Sequence, residues 1–68
     1  MKTLIQIEEE HRAYIMEAVE KVGSKKALSL MLGTEPTYVS KALGRKLSAL
    51  RTLVHRIEKK DILGKKFA

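Results

Sequence analysis

The stretch KKALSLMLGTEPTYVSKALG, residues 25–44, decides how this chain folds. Apolar residues recur in it at the three- and four-residue spacing of a helix face: Ala27, Leu28, Met31 and Leu32, then Val39, Ala42 and Leu43. The spacing predicts a helix over 25–32 stopped by Gly33, a turn over 33–35, and a second helix from Pro36 to about Leu43 stopped by Gly44. Proline suits a first helical position, because its missing N–H has no partner there anyway. Two short helices meet closely at a wide angle only with a small residue at the crossing, here Ser29. The turn also needs a residue free to take positive φ, here Gly33. Val39 then plugs the angle against Leu28 and Leu32. Thr37, Tyr38, Ser40 and Lys41 are left outward or at the edge.

The segments on either side are helical too. Thr3 and Gln6 have the spacing of a capping box and start a first helix. Glu8, Glu9 and Glu10 follow in its early turns, where negative charge suits the helix dipole and a solvated face explains them. Ile7, His11, Tyr14, Ile15, Ala18, Val19 and Val22 form its apolar stripe, and Gly23 ends it. Ser24 caps the next helix. Downstream, the basic loop Arg45-Lys46-Leu47 leads to Ser48, which is read as the cap of a fourth helix. That helix carries an inner stripe of Leu50, Leu53, Val54 and Ile57, with Arg51, Arg56, Lys59 and Lys60 on its other faces. No stretch alternates at period two, and no repeat or flexible linker divides the chain. The expected fold is all-α: a compact four- to five-helix bundle, one domain over 1–68.

Charge is placed unevenly. Residues 1–20 hold two basic and five acidic residues, a net of −3, whereas residues 21–68 hold twelve basic and three acidic, a net of +9. Such a field suits a polyanion on one side of the molecule, although a solvated surface explains charge alone equally well. Without cysteine there is no disulfide or thiolate zinc site. No apolar run approaches the roughly 20 residues that span a bilayer. A soluble, cytoplasmic protein is expected.

Leu28, Ser29, Leu32, Gly33, Val39 and the Ala42-Leu43 pair match a known pattern. The stretch resembles the helix-turn-helix of the lambda-repressor and Cro-like family of phage and bacterial regulators. The segment Pro36-Thr-Tyr-Val-Ser-Lys is similar to the start of many recognition helices in that family. Ser29 replaces the usual alanine, and Thr34 replaces the usual aliphatic residue after the glycine. The resemblance implies a helix lying in the major groove of duplex DNA. Glu35, Thr37, Tyr38, Ser40 and Lys41 would then face the bases, and Ser24, Lys25, Lys26, Arg45 and Lys46 the phosphates. Lysine donates to guanine O6 and N7, and a carboxylate accepts from a cytosine amino group. Glu35 has helix capping as its alternative role. Tyr38 either contacts DNA or packs on the fourth helix.

The expected function is therefore sequence-specific DNA binding by a small transcriptional regulator of the phage- or plasmid-repressor kind. A domain this small makes few base contacts, so a homodimer on half-sites about 10 bp apart is expected. Ile62, Leu63 and Phe67 in the tail, 61–68, are the candidate dimer surface, or else pack on their own core. An enzyme is not expected. His11 and His55 lie on different helices, Glu8 to Glu10 point in different directions, and no phosphate loop is present. No cofactor, metal or small-molecule substrate is implied, and no membrane partner. A protein-interaction module on the same scaffold is the rival reading. RNA binding lacks an aromatic platform.

Overall fold

A computed structural model describes residues 1–67 as four helices, with no strand among them. The first, α1, spans Leu4–Val22. Its start is the anticipated capping box: the Gln6 N–H donates to Thr3 Oγ1 at 3.2 Å and the Thr3 N–H to Gln6 Oε1 at 2.8 Å. Gly23 closes it at φ 108°, a conformation open to glycine and costly for other residues. Helix α2 spans Lys25–Met31, capped by Ser24 Oγ accepting from the Ala27 N–H at 3.0 Å. Helices α3, Tyr38–Leu43, and α4, Leu47–Lys59, complete the set.

The helices close round one core. Ile15, Leu28, Val39, Leu50, Leu53 and Ile57 have no exposed surface, and each comes from the apolar stripe of its helix. Complete burial of such a side chain contributes about 1.5–3 kcal/mol. Helix α1 lies along α4, and α2 and α3 pack on each other and on that pair. The radius of gyration, 11.1 Å, is that of a tightly packed chain of this length, about 11 Å.

Two helix starts differ from the sequence reading. Helix α3 begins at Tyr38, two residues after Pro36. The Tyr38 N–H donates to the Glu35 carbonyl at 3.1 Å, and Thr37 sits at φ −98°, ψ 0°. That closes a type I turn with Pro36 at its second position, where a fixed φ is favoured. Helix α4 begins at Leu47, so Ser48 lies inside its first turn and Lys46 takes the cap position without a side-chain hydrogen bond.

The tail folds back on the bundle, the second of the two roles open to it. Asp61 leaves α4 at φ 54° and Ile62 is buried. Leu63 and Phe67 are half-buried against the core. The Phe67 ring lies 4.3 Å from that of His11 and edge-on to Tyr14 at 5.5 Å. The Tyr14 hydroxyl donates to the Lys65 carbonyl at 2.7 Å, and the Phe67 N–H donates to Glu58 Oε2 at 2.8 Å. These residues pack on their own core, with Phe67 set against His11 and Tyr14 of α1. Ala68 lies outside the described residues.

Candidate nucleic-acid interface

The crossing of α2 and α3 is built from Ser29 outward. Its side chain is fully buried and does more than keep the crossing small. Ser29 Oγ donates to the Lys25 carbonyl at 2.8 Å and accepts from the Val39 N–H at 3.0 Å. Val39 is the second residue of α3, so its N–H has no partner within that helix. Thr37, the local cap position, makes no side-chain cap, and a hydroxyl from the neighbouring helix takes that role. Thr34 closes the turn from the other end, both its N–H (3.1 Å) and its Oγ1 (2.8 Å) reaching the Ser29 carbonyl. Gly33 between them adopts φ 75°. Ser29 and Thr34 thus both tie the turn together, Ser29 by joining α2 to α3 and Thr34 by closing back on the Ser29 carbonyl.

This packing leaves a polar edge on α3. Glu35, Tyr38, Lys41 and Arg45 border one depression of about 160 Å³, together with Ala42 and Ala49. Glu35 does not cap the helix with its side chain. Its Oε1 instead accepts from Lys41 Nζ at 3.1 Å and from Thr37 Oγ1 at 3.3 Å. Those bonds, led by the Lys41 ammonium, hold the Glu35 carboxyl below the usual carboxylate range. Tyr38 packs toward α4: the Arg56 guanidinium sits 5.6 Å from its ring centre. Ser40 is exposed on α3 and does not border this depression.

The residues assigned to phosphates divide into two groups. Arg45 and Lys46 are exposed between α3 and α4 and border a second cleft with Glu8, Gly44 and Ser48. Ser24, Lys25 and Lys26 are exposed at the start of α2, where the Ser24 hydroxyl is already engaged as a cap. Other basic residues form a surface the sequence reading left without a role. His55, Arg56 and Lys59 of α4, with Lys60 just after it, line a cleft with Thr52 and Leu32, the residue that follows α2. The α4 spacing placed them off the inner stripe, but only the fold shows that Arg56 reaches α3. Arg12 was also missed: it crosses from acidic α1 and donates from Nε to the Leu43 carbonyl at the end of α3, 3.1 Å away.

Among the described residues no three His, Asp or Glu side chains lie together as a metal site would need, and no helix is long and apolar enough to cross a membrane. Compared with protein-family models, curated proteins and solved structures, the chain matches none.

Proposed function

We propose that the protein binds duplex DNA sequence-specifically, with α3 in the major groove, and acts as a small transcriptional regulator of the phage- or plasmid-repressor kind. The observation that carries this reading is the meeting of Glu35, Tyr38, Lys41 and Arg45 on the open edge of α3. Behind that edge, α2 and α3 are locked together by buried Ser29. A reading helix must be rigidly held yet leave donors and acceptors free, and this one does both. Arg45 and Lys46 flank it as phosphate contacts that position the protein, with Lys25 and Lys26 at the start of α2. Binding as a homodimer supplies the base contacts that one copy of six-residue α3 lacks.

A protein partner is the second reading, and a specific observation favours it. Leu4 and Ile5 on α1, and Leu30 and Met31 on α2, are each more than half exposed. Large apolar side chains left in water in this way suit a protein surface.

Selection of binding sites from a random duplex pool at near-physiological salt decides between the two. A two-fold symmetric enriched motif supports a dimeric DNA reader, and a single half-site removes only the dimer. No enrichment overturns the DNA reading. Affinity for an enriched site should fall linearly with salt on logarithmic axes, with slope about −0.9 per phosphate contacted. A mainly apolar protein interface responds far less.

A further inference from the structure

We infer that Glu35 and Lys41 act as one reading unit that recognises a single G·C base pair, the carboxylate taking the cytosine and the ammonium the guanine. The inference rests on the DNA reading above and deepens it. Its ground is a match of neighbouring donor and acceptor groups. In a Watson–Crick G·C pair the cytosine N4 amino group donates to guanine O6, so these groove-edge atoms lie one hydrogen bond apart, about 2.9–3.0 Å. The Glu35 carboxylate and the Lys41 ammonium are likewise joined by one hydrogen bond, Oε1 to Nζ at 3.1 Å, so the two groups stand side by side, and both side chains are more than half exposed. An acceptor beside a donor on the protein thus faces a donor beside an acceptor on the base pair.

The count of hydrogen-bonding groups supports the assignment. Lys41 has three N–H donors. One is engaged by Glu35, which leaves two for guanine O6 and N7. Thr37 and Lys41 both meet Oε1 of Glu35, which leaves Oε2 for the outward N–H of cytosine N4. An A·T pair presents its donor, adenine N6, between the acceptors N7 and O4, with the thymine methyl beside them. The same unit satisfies only one of those acceptors. The direction from Glu35 to Lys41 further separates G·C from C·G.

The pair also explains how a carboxylate sits on a DNA-facing edge. Alone, Glu35 is repelled by the phosphates; joined to Lys41 it forms a unit without net charge. The Thr37 hydroxyl fixes its orientation.

The test is site selection with the wild type, Glu35→Ala, Lys41→Ala and the double variant. Affinities are then measured on the enriched site and on a copy with the affected G·C changed to A·T. All three altered proteins keep the core, because both residues are exposed. In the wild type the G·C preference should be roughly 5- to 150-fold, the range of a good bidentate contact. Each single substitution should bring it close to one at the same base pair, and the double variant should lose no more. The inference is overturned if Glu35→Ala keeps the wild-type preference, if the two substitutions act at different base pairs, or if the shared base pair is A·T. Those three outcomes leave the DNA reading standing. A wild type that enriches nothing removes both together, so the two failures are distinguishable.

Discussion

At the scale of single residues, Ser29 shows how much one hydroxyl decides. It donates within α2 and accepts from the second N–H of α3, so it fastens the supporting helix to the proposed reading helix. Ser29→Ala keeps the volume small but leaves the buried Val39 N–H unpaired. A loss of about 1–3 kcal/mol in unfolding free energy is expected, measured by urea denaturation. An unchanged midpoint would mean that Val39 finds another acceptor. On the proposed reading, Lys41 and Arg45 differ in role despite bordering the same depression. Lys41→Ala should relax base preference at one position per half-site. Arg45→Ala should weaken binding to all duplexes alike. Comparing affinities over a panel of single-base variants separates the two, and uniform loss in both would remove Lys41 from base reading.

At the scale of elements, the turn between α2 and α3 is where the boundaries shift. Local signals marked Gly33 correctly, and it adopts φ 75°. A Cβ placed there meets no atom within 4 Å, so Gly33→Ala introduces no clash. The expected cost, about 1–2 kcal/mol, is that of the left-handed backbone alone. Thermal unfolding of the variant checks it, and a much larger loss would reveal a contact the geometry lacks. Pro36 misled the sequence reading, because proline at the first helical position and proline at the second position of a type I turn look alike in sequence. The carbonyl of Glu35 decides between them, and it accepts from Tyr38. Ser48 misled similarly: a serine before an apolar stripe reads as a cap, yet α4 starts one residue ahead of it. Helix-cap rules place such boundaries only to within a residue or two.

At the scale of the whole molecule, the returning tail ties α4 to α1. Burial pushes the Tyr14 hydroxyl pKa up, with the Glu58 charge adding to it, and the Glu17 carboxylate raises that of Lys65. Both groups hold their protons longer in the folded state than in the unfolded one. Their contribution is therefore complete below about pH 10, the unfolded value for tyrosine, and is lost as pH rises through the folded values. The melting temperature should fall between pH 10 and higher pH in the wild type. Tyr14→Phe should be less stable at neutral pH, having lost the 2.7 Å bond to Lys65, but flatter across that alkaline range. Parallel curves for the two proteins would show that Tyr14 is not the group responsible.

The all-helical class, the capped starts of α1 and α2, and the inner stripe of α4 followed from the sequence alone. Their causes are local: each is a contact or periodicity spanning a few residues, such as Thr3 with Gln6 or Ser24 with Ala27. The grouping of Glu35, Tyr38, Lys41 and Arg45 was half legible, since the resemblance put the first three among the base-facing residues but nothing in the sequence put Arg56 over Tyr38. What only the tertiary structure decided depends on partners far along the chain. Ser29 meets Val39 ten residues on, Arg12 meets Leu43 across 31 residues, and Tyr14 meets Lys65 across 51. An apolar or polar side chain states its need for burial or a partner in its own chemistry. Which partner meets that need is a property of the packed chain.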